Sequence, residues 1–389
     1  MKYSMNHKSS KKILIEGTPV FRSRTGIGQY VFNLCNELFK QDKENKYIIY
    51  AYIFLGKKFT SPFKKLPSNV RFKLIRYLPS KIVNLVSRRI SPLPVDLLTA
   101  TSPDIILFTN FVRGPIFTNT KTITIIYDLS FMLFNEFSNS KNSELLLKQV
   151  PKSISKSDKI ITISQNSKQE IINHYKFNPA KIEIVNPAIN HAVYRPANKQ
   201  SIDRGKTKYG IKGQYILYTG TLEPRKNIVG ILEGYSALPK NILNSYTLVL
   251  AGGKGWLDEE IEEKLTELKG LNIIRTGYVA DEDLPALYSG ATVFVYPSFY
   301  EGFGMPPLEA MACGTPVITS NNSSLPEVVG EAGIMIDAKD TKALTKSIEK
   351  VISSKKLQNE MIKKGIVQAK KFSWEKSAKK LYRLIQSIE

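Results

Sequence analysis

The chain has 389 residues, of which 42% are apolar, and its formal net charge is +22 at pH 7. This length exceeds what one hydrophobic core usually organises and predicts two domains, and the apolar fraction excludes a disordered chain. Its two cysteines, Cys35 and Cys313, lie in separate helix-like segments. We expect them to be free buried thiols, as in proteins of a reducing compartment.

The positive charge is concentrated in the first half of the chain. Residues 1–200 contain 31 Lys and Arg against 12 Asp and Glu, a net charge of +19, whereas residues 201–389 carry only +3. Such asymmetry usually marks a surface that meets an anionic partner, and a solvated basic surface is the alternative. No run of 18 apolar residues occurs, and the N-terminus lacks an apolar leader core, so neither a transmembrane helix nor a signal peptide is expected.

The first half predicts an α/β domain. A strand at 13–15 precedes a loop around Gly26 and Gly28 and a helix at 30–39, which is the opening of nucleotide-binding α/β units. Residues 56–95 are expected to be irregular, with cations interleaved among apolar side chains. Further strands are predicted at 47–54, 104–108, 122–127 and 159–163, followed by a helix at 164–174 with Ser164 as its N-cap. The ten cations of 56–95 are Lys57, Lys58, Lys64, Lys65, Arg71, Lys73, Arg76, Lys81, Arg88 and Arg89.

The second half predicts another α/β series beyond a linker. The strands of this series are predicted at 215–218, 248–251, 273–275, 293–296, 317–319 and 334–336. We expect a first domain at 1–190, a linker at 191–212, a second domain at 213–371 and a terminal helix segment at 372–389. Alternating strands and helices in both halves predict two parallel sheets with ligands bound at the carboxyl ends of the strands, in the cleft between the domains.

The segment from Tyr300 to Glu309 carries the most specific chemistry. It places two carboxylates, Glu301 and Glu309, eight positions apart, the first in a Gly/Pro-rich loop and the second in the helix that follows. Strand, glycine loop and helix together present bare N–H groups to an anion. A carboxylate in such a loop would repel phosphate and is better suited to accept hydrogen bonds from sugar hydroxyls.

Three further stretches accompany these two glutamates, at 218–227, 314–318 and 324–328. Together they resemble the E-x7-E element, donor-phosphate loop and following segments of retaining nucleotide-sugar glycosyltransferases of family 4. That resemblance covers nearly the whole chain and is strongest in the second half. It implies the GT-B architecture, in which two Rossmann-like domains face a cleft, the N-terminal one on the acceptor side. It also implies that the terminal helix crosses back to the N-terminal domain.

The resemblance implies a role for each matching residue. Arg225 and Lys226 would grip the donor diphosphate and balance its charge without a metal. Glu309 would bind the ribose hydroxyls, and Glu301 would position the donor sugar and stabilise an oxocarbenium-like transition state, covalent catalysis being the minority alternative. The other substrate-binding candidates are Gly26, Gly28, Thr219, Gly220, Tyr278, Val279, Phe303, Gly304, Met305 and Leu308.

One position departs from the family pattern. Many members have His-Asp at the end of a central strand of the N-terminal domain, where this chain has Tyr127 and Asp128. A phenol can hydrogen-bond to a sugar hydroxyl but cannot act as an imidazole base near neutral pH. Tyr127 therefore predicts either an altered donor geometry or impaired catalysis. Asp128 and Arg24 are retained as candidate cleft residues.

The resemblance predicts a transferase that moves a sugar to an acceptor hydroxyl, with GDP-mannose as the favoured donor and UDP-sugars as the alternative. The acceptor is expected to be a polysaccharide, free or lipid-linked, with no cofactor and no metal. The basic half predicts peripheral attachment to anionic membrane on the cytoplasmic face. A nucleic-acid-binding protein is disfavoured because no recognised module occurs. A nicotinamide-dependent oxidoreductase is disfavoured because G-x-G-x-x-G is missing.

Overall fold

The computed structural model describes residues 10–21, 26–54, 61–63, 65–77, 93–134, 140–255 and 259–389. Within these residues the chain forms two parallel sheets, one in each half, as the alternation of strands and helices predicts. Both cysteines are free and buried, as expected. No helix in these ranges is long and apolar enough to cross a membrane.

The first sheet has seven parallel strands in the order β3-β2-β1-β4-β5-β6-β7. Its strands are β1 (Lys12–Glu16), β2 (Lys46–Phe54), β3 (Val70–Tyr77), β4 (Ile105–Phe108), β5 (Lys121–Ile125), β6 (Lys159–Thr162) and β7 (Ile182–Ile184). The helices of this half are α1 (Thr18–Phe21), α2 (Gly26–Gln41), α3 (Val95–Leu98), α4 (Ser130–Leu133), α5 (Ser140–Lys156) and α6 (Gln165–Tyr175). Ser164 caps α6 by accepting a hydrogen bond from the Ser167 N–H, as its sequence predicts.

The second sheet has six parallel strands in the order β10-β9-β8-β11-β12-β13. These are β8 (Gln214–Thr219), β9 (Tyr246–Ala251), β10 (Ile273–Gly277), β11 (Val293–Tyr296), β12 (Val317–Ser320) and β13 (Ile334–Ile336). The accompanying helices are α7 (Lys199–Lys208), α8 (Ile228–Ser236), α9 (Lys240–Ser245), α10 (Glu259–Glu267), α11 (Leu284–Gly290), α12 (Met305–Ala312), α13 (Leu325–Val329), α14 (Thr341–Ser353), α15 (Lys355–Ala369) and α16 (Trp374–Ser387).

The central strands are apolar throughout because both faces of each sheet are covered. Strands β4, β9, β11 and β12 are buried at every position. Parallel strands buried on both faces read as continuous apolar runs rather than as alternating patterns. Each fully buried Ile, Leu or Val side chain contributes about 1.5–3 kcal/mol to the free energy of unfolding. These short runs are therefore the part of the fold that the sequence specifies most directly.

The strand order determines where a ligand can bind. In the second sheet the order reverses between β8 and β11, which pair directly although β9 and β10 lie between them in sequence. Loops leaving the carboxyl ends of two such strands diverge to opposite faces of the sheet and leave a crevice. Residues that follow Thr219 and Tyr296 border this crevice.

The last helix, α16, packs against the N-terminal half. Trp374 contacts the ring of Tyr30 with centroids 5.8 Å apart. The Ser377 hydroxyl donates to the carbonyl oxygen of Asn186 at 2.7 Å, and Lys380 Nζ donates to that of Ile184 at 3.0 Å. These contacts tie the end of the chain to the first domain. The exact domain bounds stay a prediction.

Two local expectations are wrong. Part of 56–95 is regular, since Val70–Tyr77 forms edge strand β3 and Val95 begins α3. Gly26 and Gly28 lie in the first turn of α2 rather than in a loop. The predicted linker at 191–212 contains a helix, because Lys199–Lys208 forms α7, capped by the Asn198 side chain. An alternating pattern in β3 and the capping residue Asn198 of α7 gave signals that composition obscured.

Candidate active site

Arg225 and Lys226 lie in a single 3-10 turn, Pro224–Lys226, just beyond the carboxyl end of β8. Asn227 ends this turn in the left-handed conformation with φ of 57°, and its side chain accepts a hydrogen bond from the Gly230 N–H to cap α8. Proline at the first position and asparagine at the last therefore fix the turn from both ends. The turn places both cations beside the crevice at the strand-order reversal.

Lys226 and Glu301 form a buried ion pair between the loops that follow β8 and β11. Lys226 Nζ donates to Glu301 Oε1 at 2.6 Å and to the Tyr296 hydroxyl at 2.8 Å. Burial alone would raise the pKa of Glu301, but Lys226 and Arg225 outweigh it and lower this pKa to about 2. The Glu301 carboxylate is therefore ionised at every physiological pH. Burial lowers the pKa of Lys226, and Glu301 opposes that effect.

Arg225 is held by three oxygens. Its Nη2 donates to Glu223 Oε1 at 2.6 Å, and its Nη1 donates to the carbonyl oxygen of Tyr300 at 2.7 Å. Nη1 also lies 3.4 Å from Glu301 Oε2. Burial alone would lower the pKa of Arg225, but Glu301 and Glu223 outweigh it and raise this pKa above its usual value. The guanidinium is thus fixed in direction, and its shortest contacts are with Glu223 and Tyr300.

The loop that carries Glu301 is pinned by two serines of the segment before α13. The Glu301 N–H donates to Ser323 Oγ at 3.0 Å. The Ser324 hydroxyl lies 2.8 Å from the carbonyl oxygen of Glu301 and 2.6 Å from that of Phe303. Gly304 then enters α12 with φ of 112°, a conformation that side chains disfavour. Hydrogen bonds between these serine hydroxyls and the main chain of the loop therefore hold the loop in place.

The two domains meet at this loop. Gly302 lies so close to Asp128 Oδ2 that a Cβ atom there would overlap the carboxylate. The Tyr300 hydroxyl donates to Glu170 Oε2 at 2.7 Å, and the Tyr300 ring contacts Phe134 at 4.9 Å between centroids. Asp128, predicted as a cleft residue, therefore lies opposite the Glu301 loop.

A second contact between the domains lies at the start of α6. The Glu327 carboxylate, on α13, accepts hydrogen bonds from the N–H groups of Gln165 and Asn166 at 2.8 and 3.1 Å. A carboxylate at a helix N-terminus is stabilised by the unpaired N–H groups and by the helix dipole. Burial nevertheless raises the pKa of Glu327. Glu327, in the second half of the chain, thus accepts hydrogen bonds from the N–H groups at the start of a helix in the first half.

Glu309 occupies a different setting on α12. Its Oε2 accepts a hydrogen bond from the Tyr288 hydroxyl at 2.8 Å, and that hydroxyl lies 2.6 Å from Thr219 Oγ1. Burial raises the pKa of Glu309 to about 7, although the hydrogen bonds from Tyr288 and Tyr194 lower it. No cation is among the groups that shift this pKa. This carboxylate therefore titrates near neutral pH.

The other predicted site residues differ in how far their side chains are exposed to solvent. Tyr127 is 5% exposed, and its hydroxyl donates to the carbonyl oxygen of Thr109 at 2.8 Å within the N-terminal domain. Phe303 and Leu308 are buried core side chains, so only their main-chain atoms could meet a ligand. Of two further substrate-binding candidates, Tyr278 is 76% exposed and Val279 is buried. The roles of all these residues stay predictions.

The remaining candidates divide between the described and undescribed parts of the chain. Thr219 ends β8 beside the crevice, and Gly220, which follows it, has φ of 138°. Met305 begins α12 and is half-buried. Arg24 lies outside the described residues, as do most of the cations of 56–95. Within the described ranges no group of three or more His, Cys, Asp or Glu side chains is arranged to hold a metal ion.

Sequence reasoning missed four residues that shape the site: Glu170, Glu223, Tyr288 and Glu327. Glu223 was visible as the acid two positions before Arg225, but its orientation toward Nη2 depends on the 3-10 turn. Glu327 belongs to the matched segment 324–328. Tyr288 and Glu170 gave no local signal, because their partners lie 21 and 130 positions away in sequence.

Comparison with known proteins agrees with this geometry. Residues 24–193 match the family described as Glycosyltransferase Family 4, and residues 199–368 match Glycosyl transferases group 1. The O-antigen chain mannosyltransferase B of Escherichia coli is 38% identical over 257 residues, which are 66% of this chain and 67% of that protein. The serotype-specific mannosyltransferase WbdA of Escherichia coli is 32% identical over 74% of this chain, which spans only 38% of that protein.

The fold has a solved counterpart. Sucrose-phosphate synthase from Thermosynechococcus elongatus superposes with a TM-score of 0.72 at 18% identity, covering 97% of this chain and 98% of that one. At this identity the likeness concerns the fold alone, which is the two-domain GT-B architecture. Because both halves match glycosyltransferase families and a relative shares 38% of the aligned residues, this chain belongs to glycosyltransferase family 4 and is a glycosyltransferase.

Proposed function

We propose that this chain is a retaining glycosyltransferase that binds the donor diphosphate at Arg225 and Lys226 and the donor sugar beside Glu301. The observation that carries the proposal is the cluster of these three side chains between the loops after β8 and β11. At such a crevice, fixed cations meet the phosphate groups of a nucleotide, and a neighbouring carboxylate meets hydroxyl groups.

The chemistry of transfer assigns each group a task. As the glycosidic bond breaks, the electron pair leaves with the nucleoside diphosphate, whose growing negative charge Arg225 and Lys226 stabilise. Positive charge develops on the sugar ring, and the ionised Glu301 lies in the cluster to stabilise it. The departing phosphate oxygen takes the proton of the acceptor hydroxyl. The acceptor oxygen bonds to the anomeric carbon on the face that the diphosphate leaves, which retains the configuration.

The proposed donor is GDP-mannose and the proposed acceptor is a surface polysaccharide. Two relatives support this choice, the O-antigen chain mannosyltransferase B at 38% identity and WbdA at 32% identity. Both of their names specify mannosyl transfer. Because this chain spans only 38% of WbdA, the comparison supports the type of reaction rather than the full activity of that protein.

Attachment to an anionic membrane is the remaining part of the proposal. Among the described residues of the basic segment, Lys65, Arg71, Lys73 and Arg76 are all exposed, and the last three lie on edge strand β3. Each cation near an anionic bilayer contributes about 1 kcal/mol before salt screening. The other explanation is that cations on an edge strand prevent pairing with another chain. Sedimentation with anionic vesicles at low and high salt distinguishes membrane attachment from protection of the edge strand. The wild-type protein is compared with a variant in which Arg71, Lys73 and Arg76 are changed to Glu.

Donor use is tested by incubating the protein with GDP-mannose or UDP-glucose and an O-antigen-type mannan acceptor. Proton NMR of the product then gives the anomeric configuration. We expect an α-mannoside from the α-configured donor, because front-face transfer retains configuration. A β-linked product would contradict retention, and transfer from UDP-glucose alone would contradict the donor assignment. Arg225→Ala serves as the low-activity control, since it removes one diphosphate contact.

A further inference from the structure

Glu309 is held by a hydrogen-bonded chain whose middle member, Tyr288, lies outside the segments that resemble the family. The chain runs from Thr219, at the end of β8, to the Tyr288 hydroxyl on α11 and then to Glu309 Oε2 on α12. Its two links measure 2.6 and 2.8 Å. Tyr288 is 1% exposed, so its hydroxyl cannot be satisfied by solvent. Three separate elements therefore meet at one phenol oxygen.

The direction of the hydrogen bonds follows from the chemistry of the groups. A hydroxyl has one hydrogen, and an ionised carboxylate only accepts. Tyr288 therefore donates to Glu309, and Thr219 donates to the Tyr288 oxygen. The ring itself is fixed, because it packs edge-on against Phe294 at 5.5 Å and the Thr315 hydroxyl donates to the Tyr288 carbonyl at 2.6 Å. This anchored donor restrains the rotation of the Glu309 carboxylate.

The groups that face Glu309 come from four parts of the chain. Tyr288 lies on α11, Tyr194 on the connection between the domains, Asp281 on the loop before α11, and Cys313 at the end of α12. Asp281 raises the pKa of Glu309, while Tyr288 and Tyr194 lower it. Glu309 in turn raises the pKa of Cys313, for which burial is the larger cause. The two tyrosine hydroxyls are therefore the groups that favour the ionised form.

We propose that Tyr288 is a positioning residue that orients Glu309 to accept the hydroxyl groups of the donor ribose. This inference rests on the proposed function, since it assumes that a nucleotide binds with its ribose at Glu309. Tyr288 touches neither donor nor acceptor in this scheme. It fixes one carboxylate oxygen and favours the ionised form, so that the remaining lone pairs of the carboxylate receive the ribose 2′- and 3′-hydroxyls in a defined geometry.

The test compares Tyr288→Phe with the wild-type protein in calorimetric binding of nucleoside diphosphates. GDP, UDP and ADP are screened first, and the nucleotide that binds most tightly is then compared with its 2′,3′-dideoxy form from pH 5.5 to 8.5. In the wild type, affinity for the ribonucleotide should fall as the pH drops through about 7, because protonation of Glu309 removes acceptor capacity. The dideoxy form should show only the part of this transition that ionisation of its terminal phosphate causes.

Tyr288→Phe should bind the ribonucleotide about tenfold more weakly at pH 7, the effect of losing one hydrogen bond to a charged group. The midpoint of the pH transition should move upward, because the lost hydroxyl lowered the pKa of Glu309. Affinity for the dideoxy form should be unchanged. A role confined to packing would not produce this combination.

Tyr215→Phe is the matched control. Tyr215 is also fully buried, and its hydroxyl donates to the carbonyl oxygen of Leu287 at 2.6 Å, one residue before Tyr288. It should lower stability without moving the pH midpoint. Should Tyr288→Phe fail to fold, Thr219→Val, which removes the donor to the Tyr288 oxygen, is expected to shift the midpoint in the same direction.

Two results overturn the inference. The first is a Tyr288→Phe protein that binds the ribonucleotide like the wild type at every pH. The second is an equal loss of affinity for the ribonucleotide and its dideoxy form, which would assign Tyr288 to packing. If the wild type binds none of the three nucleoside diphosphates, the proposed function fails first, and the inference that rests on it fails as well.

Discussion

Glu301 and Glu309 lie eight positions apart in sequence, yet their surroundings shift their pKa values in opposite directions. Lys226 and Arg225 overcome the effect of burial at Glu301 and lower its pKa to about 2. Burial dominates at Glu309, where only hydroxyl donors oppose it, and raises its pKa to about 7. The comparison shows that cations from a different loop, rather than the glutamates' own segment, separate a permanently ionised carboxylate from one that titrates near neutral pH.

Removing the cation at Glu301 should have the largest effect. Lys226→Ala leaves the buried Glu301 carboxylate with the longer contact to Arg225 as its remaining ion pair among the described residues. We expect a loss of about 3 kcal/mol in the free energy of unfolding and roughly a 100-fold fall in turnover. Urea unfolding and a transfer assay measure the two effects. Lys208→Ala, which removes an exposed ion pair with Asp283, should change neither; equal effects of both variants would contradict the assignment.

Exchanging each carboxylate for an amide should separate the two roles. Glu301→Gln should lower turnover by about 30-fold while nucleotide binding is kept, because the carboxylate faces the developing charge on the sugar. Glu309→Gln should weaken binding of the nucleoside diphosphate by about tenfold. Calorimetry and turnover are measured on both proteins. If nucleotide binding is lost in Glu301→Gln and kept in Glu309→Gln, the roles are reversed.

The titration of Glu309 sharpens the comparison further. Its pKa of about 7 predicts that nucleotide affinity rises between pH 6 and 8 as the carboxylate ionises. In Glu309→Gln this rise should shrink to the part that the terminal phosphate of the nucleotide contributes, because an amide does not titrate. The Glu301→Gln protein should keep the full rise, since Glu301 is already ionised throughout this range. An undiminished rise in Glu309→Gln would place the titrating group elsewhere.

A change at the contact between the domains should have a smaller effect. In Gly302→Ala the new Cβ would overlap Asp128 Oδ2, so the domains must separate slightly at the Glu301 loop. We expect about a fivefold fall in turnover, since small misplacements of reacting groups reduce rate. Nucleotide affinity should be nearly unchanged. Gly253→Ala, where a Cβ meets no atom within 4 Å, is the control.

Chelation of metal ions should have the smallest effect. Arg225 and Lys226 provide two positive charges for the diphosphate, so we expect transfer activity to persist in excess EDTA. The assay is run with and without chelator on the same preparation. Complete loss of activity that Mg²⁺ or Mn²⁺ restores would show that these cations do not suffice.

The sequence by itself determined where the central strands lie along the chain and where the motif lies. The apolar runs of β9 and β11 are buried on both faces, and a continuous apolar run in the sequence is enough to predict such a strand. The pattern of Val70, Phe72 and Leu74 alternating with cations also specified strand β3, but the high charge of its surroundings concealed it. Capping by Asn198 similarly specified α7 within the expected linker.

Only the tertiary structure decided how the polar groups are paired. Lys226 meets Glu301 across 75 positions, and Tyr300 meets Glu170 across 130, distances over which no periodic pattern carries information. The same holds for Tyr127, whose hydroxyl is bound to the Thr109 carbonyl in the core of the N-terminal domain. Hydrogen bonds form only at donor–acceptor distances of about 3 Å, and Coulomb interactions are strongest between charges a few ångströms apart. The protonation of each carboxylate therefore depends on which strand ends the parallel sheets bring together, and the residue types alone leave it open.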